Sequence, residues 1–238
     1  MSVALVARPN FDVATEYGSY YMGIAANYAQ KRFQVIDLYA ADAVKINIFD
    51  AIVGSDPIYC YFLGHGNADV YTAQDQEVVF QTCIDNEVMA GKILLLLSCS
   101  CGIRLGPNTV SKGALAVFAF EVDFTWVATG DPATDEYARG FFEAINTINN
   151  NIVDGYTTGE AYVNSINVWN QWIDFWSASS DPYASLVVQH MVHDRDGMKL
   201  FGDETVRATY AGPVIDGIGI TPLPFITGSA IILLSLLI

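Results

Sequence analysis

Tyr59-Cys60-Tyr61-Phe62-Leu63-Gly64-His65-Gly66 and Ile93-Leu94-Leu95-Leu96-Leu97-Ser98-Cys99-Ser100-Cys101-Gly102 are two short apolar runs, each closed by turn-forming residues and each delivering a reactive side chain. A continuous apolar run of this length reads as a strand buried on both faces, as in a parallel sheet. Open sheets of that kind gather their chemistry outside the carboxyl ends of the strands. The two runs therefore predict adjacent strands, about 4.8 Å apart, with His65 and Cys99 projecting into one crevice. A thiol is mostly protonated at neutral pH and needs a nearby base or positive field to attack. That assigns Cys99 as the candidate nucleophile and His65 as its base. Gly66 and Gly102 permit tight turns and close approach of a substrate. The backbone N–H groups of Gly66 and Cys99 are candidates for holding a developing oxyanion.

Outward from these runs the pattern alternates. Val3 to Ala7 predicts a strand, Ala14 to Lys31 a helix, Phe33 to Leu38 a strand and Asp42 to Ile52 a second helix before the Ile58 to Leu63 strand that delivers His65. Such alternation predicts a parallel sheet covered by helices. Asn67 to Gln81 is polar and mixed and reads as a loop or hairpin, and Asp85 to Ala90 as a short helix. Ile103 to Asn108, with Gly106 and Pro107, reads as a loop before a short helix. Leu115 to Glu121 and Trp126 to Thr129 follow as strands. Pro132 to Asn149 and Thr158 to Trp176 carry apolar residues at helical spacing, so Phe141, Phe142, Trp169, Trp172 and Trp176 are expected in the core.

The order of the motifs resembles the caspase–hemoglobinase clan of cysteine peptidases: apolar strand, His-Gly, then a second apolar strand ending in a small residue and Cys. Ser98-Cys99-Ser100-Cys101-Gly102 is similar to the small-Cys-x-(Ser/Thr)-Gly segment of legumain-like and CHAT-like proteins, which places the nucleophile on Cys99 and puts Cys101 at the Ser/Thr position. Lys112-Gly113-Ala114-Leu115-Ala116-Val117-Phe118-Ala119, Asp135-Glu136-Tyr137-Ala138-Arg139-Gly140-Phe141-Phe142 and Thr158-Gly159-Glu160-Ala161 resemble the gingipain-like branch. So does Met198-Lys199-Leu200-Phe201-Gly202-Asp203, where Glu204 stands in place of the usual proline. The resemblance runs from about Val3 to about Thr209. It implies a caspase-like three-layer α/β sandwich with a mostly parallel central sheet, and a peptide-bond hydrolase using a Cys–His dyad without metal or cofactor.

The chain of 238 residues suits one such domain, taken as residues 1–212, followed by an apolar tail, 213–238. A net charge of −15 argues against nucleic acid as a partner, because phosphate contact requires a basic face. A polypeptide substrate is compatible with it. Asp69, Asp123 and Asp131, expected at the carboxyl edge of the sheet, are candidates for binding a basic substrate side chain. The four cysteines show no framework spacing and favour a reducing, cytoplasmic setting, and Met1 to Arg8 reads as a first strand, not a signal peptide.

From Gly217 to Ile238 no residue is charged. Pro222 and Pro224 delay any helix to Phe225, leaving about 14 residues or about 21 Å, short of the roughly 20 residues that a bilayer core requires. Three destinations remain for 217–238: a membrane, another copy of the chain, or the core of the same domain. The alternatives to a peptidase are a catalytically inactive scaffold that assembles through this tail, and metal chelation by Cys99, Cys101 and His65 with Cys60 or His193. The lone Cys-x-Cys lacks the second paired motif of a zinc site. His190 and His193, one turn apart, read as a helix surface or an interdomain contact.

Overall fold

A computed structural model describes residues 2–208 and 232–236. Its strands are β1 (Val3–Arg8), β2 (Gln34–Tyr39), β3 (Tyr59–Leu63), β4 (Val70–Thr72), β5 (Val78–Gln81), β6 (Ile93–Leu97), β7 (Ala116–Phe120), β8 (Thr125–Ala128), β9 (Met198–Gly202) and β10 (Ile232–Ser235). Its helices are α1 (Val13–Ala29), α2 (Lys45–Ser55), α3 (Leu105–Ser111), α4 (Glu136–Asp154), α5 (Thr158–Ser177) and α6 (Ala184–Gly197). Six strands form the central sheet in the order β2-β1-β3-β6-β7-β9. All neighbours are parallel except β7 and β9, which run antiparallel. The mixed α/β class and the mostly parallel sheet flanked by helices are as expected.

Strict alternation along the inner strands builds two cores. Ala4 and Val6 of β1, Tyr59, Tyr61 and Leu63 of β3, Ile93, Leu95 and Leu97 of β6, and Ala116, Phe118 and Phe120 of β7 pack under α1, α4, α5 and α6. The intervening Leu5, Ala7, Cys60, Phe62, Leu94, Leu96, Val117 and Ala119 face α2, α3 and the β4–β5 hairpin. β3, β6 and β7 are buried along their whole lengths, which is why they read as uninterrupted apolar runs. The expected aromatic core is present, with Phe141, Phe142, Trp169, Trp172 and Trp176 all buried in the first layer.

One local reading needs correction, and two gain detail. The Ile103 to Asn108 loop is shorter than expected because α3 begins at Leu105. Pro107 falls within that helix's first turn, where its missing N–H costs no hydrogen bond. The Trp126 to Thr129 strand is real but stands outside the central sheet, pairing only with β10 among the described residues. Of the three destinations considered for the tail, the described residues pack within the same domain: Ile232–Ser235 form a strand antiparallel to β8 and Leu236 is buried; 217–231, 237 and 238 lie outside the described residues. Among the described residues no helix is long and apolar enough to cross a membrane.

The hairpin presses directly on the strand that carries His65. Tyr71 donates its hydroxyl to the Leu63 carbonyl at 2.8 Å, and Thr72 N–H donates to the His65 carbonyl at 2.9 Å. A Cβ on Gly64 would sit 1.8 Å from the Thr72 carbonyl oxygen. Gly64→Ala is therefore expected to cost roughly 2–3 kcal/mol in urea unfolding, the range for overpacking against a backbone that cannot yield. Gly54→Ala, on α2 with nothing within 4 Å of its added methyl, should instead gain about 0.5–1 kcal/mol. Equal effects of the two would contradict this account of Gly64.

Candidate functional site

Leu63 of β3 stands opposite Leu97 of β6, and Gly64 N–H continues the ladder to the Leu97 carbonyl at 3.2 Å. His65 and Cys99 each lie two residues beyond that pair. Cys99 keeps the parity of Leu97 and joins the core under α1 and α4, while His65 meets Asp12 at the N-terminus of α1; no hydrogen bond links His65 Nδ1 to the Cys99 sulfur. The parity breaks after Cys99. Ser100 takes φ +56°, the left-handed region, and the turn carries Cys101 to the opposite core with Tyr71 and Val79. The two thiols are thus sorted to different faces, and Cys99 lies on the face of α1, whose N-cap Asp12 meets His65. Cys60 lies in the same core as Cys101, inside β3.

The turn after Cys99 is braced by the end of β7. Ser100 N–H donates to the Val122 carbonyl at 2.8 Å and Gly102 N–H to the Phe120 carbonyl at 2.6 Å. A Cβ on Gly102 would come within 2.7 Å of the Phe120 backbone, so glycine is needed for this close approach. Asp123 accepts a hydrogen bond from Ser100 Oγ at 2.6 Å.

His65 is only 4% exposed. Its Nε2 lies 2.6 Å from Asp12 Oδ2, and the Phe11 ring and the imidazole pack in a T-shaped pair. Asp12 is the N-cap of α1: its Oδ1 accepts from Thr15 N–H at 2.7 Å, while Thr15 Oγ1 accepts from Asp12 N–H at 3.1 Å. One carboxylate oxygen therefore anchors the helix and the other addresses the histidine. Burial opposes ionisation of Asp12, yet the hydrogen bonds from His65 and Thr15 outweigh it and lower its pKa to about 2. An ionised Asp12 accepts the Nε2 proton of a neutral imidazole, which leaves Nδ1 as the basic nitrogen. Nδ1 is buried and has no hydrogen-bond partner.

Cys99 is fully buried, and its Sγ contacts the Phe124 carbonyl at 3.8 Å and Ser235 Oγ at 3.4 Å. Burial pushes its thiol up to about 12, with the negative charge of Asp123 adding to the rise and the Ser235 contact opposing it. Burial does the same to Cys101, also to about 12, and its Sγ donates to the Val70 carbonyl. The Gly66 N–H, one of the expected oxyanion donors, donates to the Leu236 carbonyl at 3.2 Å. Gly66 has no room for a side chain, since a Cβ would lie 2.1 Å from Ser98 Oγ.

The three candidate acids do not converge. Asp69 forms an ion pair with Arg104, Asp131 accepts the Ala133 N–H on the loop after β8, and only Asp123 borders the Cys99 turn. Asp123 lines a cleft of about 470 Å³ with Ser100, Val122, Thr125, His190 and His193. There His190 Nδ1 meets Thr125 Oγ1 at 2.8 Å and His193 Nε2 meets the Asp123 carbonyl at 3.1 Å. Burial, aided by His193, lowers the pKa of His190, so this cleft is not a plain acidic pocket.

Sequence reasoning missed Asp12, although Asp-x-x-Thr before an apolar helix is a capping signal. It also missed Phe124, Ser235 and Leu236, which meet Cys99 or Gly66 only through long-range pairing. Compared with protein-family models and with curated proteins, the sequence gives no match.

Asp12 has its pKa lowered in the folded state, so its contribution to stability is present above its unfolded value of 3.8 and is lost as the pH falls through about 2. Allowing for its partial exposure, that contribution is on the order of 1–2 kcal/mol. Asp12→Asn retains a good N-cap but has no such titration. The stability gap between the two proteins, measured by denaturant unfolding, should shrink by about 1 kcal/mol from pH 6 to pH 2. A constant gap would contradict the lowered pKa of Asp12.

Proposed function

We propose that the protein is a cysteine endopeptidase in which Cys99 is the nucleophile, His65 the base and Asp12 the group that orients His65. The observation that carries this reading is the pairing of His65 Nε2 with Asp12 at the N-terminus of α1 while Nδ1 stays buried and unpartnered, with Cys99 in the core that α1 covers. A thiol whose pKa is pushed up to about 12 is neutral at pH 7, so attack requires a base at hand. As Sγ bonds to the scissile carbonyl carbon, the thiol proton passes to His65 Nδ1 and the carbonyl oxygen gains negative charge against the Gly66 N–H. Collapse of this intermediate breaks the C–N bond, and His65 gives the proton to the leaving amine. Water, deprotonated by His65, then attacks the thioester and releases the carboxylic acid and the Cys99 thiol. Asp12 stabilises the imidazolium in both half-reactions.

The reading agrees with the resemblance to the caspase–hemoglobinase clan. Cleavage after basic residues draws no support from the acids: Asp69 and Asp131 are engaged elsewhere, and the cleft at Asp123 is shared with two histidines. The inactive-scaffold reading is favoured by one observation, the complete burial of Cys99.

Hydrolysis of a peptide library by the full chain separates the two. Cys99→Ala and His65→Ala should each lower kcat/KM by about 10³ or more, as removing a member of a catalytic set does. Cys101→Ala should stay within about tenfold of the parent, since its loss removes packing and the thiol contacts with Val70 and Ser98 but no reacting group. Hydrolysis that survives Cys99→Ala would overturn the assignment, and a folded parent that cleaves no peptide would favour the scaffold.

A further inference from the structure

We propose that residues 232–236 lie in the substrate channel as a bound peptide does, and that the channel is built for an extended polypeptide with a leucine-type side chain at the position of Leu236. This rests on the peptidase reading and names its substrate class. β8 has no neighbour in the central sheet, and its one ladder among the described residues is with β10, pairing Ile232 with Ala128, Leu233 with Val127, Leu234 with Trp126 and Ser235 with Thr125. An open strand edge of this kind recruits an extended chain through main-chain hydrogen bonds, while alternate side chains supply selectivity.

One residue past the ladder, both backbone groups of Leu236 are held by the site. Its N–H donates to the Phe124 carbonyl at 3.4 Å, and its carbonyl accepts from the Gly66 N–H at 3.2 Å. That carbonyl sits on the donor assigned to the oxyanion, and the preceding residue, Ser235, touches the Cys99 thiol. The side chains differ in what the protein does with them. Leu236 is fully buried in the core that contains Cys99, Phe124 and Trp126, whereas Leu233 is 53% exposed. Selectivity therefore concentrates at the Leu236 seat. A lysine or arginine placed there would be stripped of water inside an apolar core, so the seat selects an aliphatic side chain. The same contacts cover Cys99 in the resting chain.

Site-resolved alkylation of the full chain by iodoacetamide tests both parts, with the exposed Cys83 as internal reference. Leu236→Asp, which puts a carboxylate in the apolar seat, should raise the alkylation rate of Cys99 about tenfold or more relative to Cys83 by favouring the open state. Leu236→Ala should give a smaller rise and carries the test if the aspartate variant does not fold. An unchanged Cys99 rate in a folded variant would overturn the proposal that 232–236 covers the site. In a second arm, the capped peptide Ile-Leu-Leu-Ser-Leu added to the variant should restore protection saturably, and the peptide ending in arginine should protect at least about tenfold less. Equal protection by both would overturn the substrate class. Neither arm requires turnover, so a chain that is protected as expected yet hydrolyses no peptide would refute the peptidase reading and leave the occupancy of the channel standing.

Discussion

The parallel pairing of Leu63 with Leu97 is the constraint from which the rest of the site follows. Because side chains alternate with a period of two, a slip of one residue in either strand would turn that strand's side chains to the other face of the sheet. Both strands are buried along their whole lengths, and the Gly64 N–H extends the ladder to the Leu97 carbonyl at the end that carries His65 and Cys99. Tyr71 and Thr72 then clamp the end of β3 from the hairpin, and Gly64 provides the contact distance they need. A helix N-cap completes the arrangement, since the geometry that satisfies the first turn of α1 also aims Asp12 at the imidazole.

Burial acts in two directions here. It fixes the site, and it suppresses the chemistry of the resting thiol, whose ionisation is opposed by the core that surrounds it. The segment 232–236 covers the site without adding to that rise: Ser235 meets the Cys99 thiol and favours its ionisation, and the Leu236 carbonyl accepts the Gly66 N–H. Main-chain pairing along β8 is adaptable to sequence, whereas the enclosed seat of Leu236 is not.

Much of the sheet was legible because fully apolar runs have few other places to go. Tyr59–Leu63, Ile93–Leu97 and Ala116–Phe120 announce themselves as strands buried on both faces; the crevice expected at His65 and Cys99 is not seen, since both side chains are buried and the cleft beside them is lined by Ser100 and Asp123. What could not be read locally depends on tertiary geometry. Cys99 and Cys101 share a parity in the sequence and would face the same way on a continuing strand. The left-handed Ser100 separates them, and serine carries no signal for that conformation. Asp12 could be read as a helix cap, but its second oxygen finds His65 only when α1 folds onto the sheet. The pairing of β10 with β8 joins segments about 100 residues apart, and neither segment's local pattern encodes the partner.

The central claim is that Asp12 holds His65 with its proton on Nε2 and leaves Nδ1 bare as the base for Cys99. The most direct measurement is the pair of ring ¹⁵N chemical shifts of neutral His65, assigned by comparison with His65→Ala. The account predicts a protonated, hydrogen-bonded Nε2 and an unprotonated Nδ1, with that preference lost in Asp12→Asn. A proton on Nδ1 in the neutral ring, or shifts unmoved by Asp12→Asn, would contradict it.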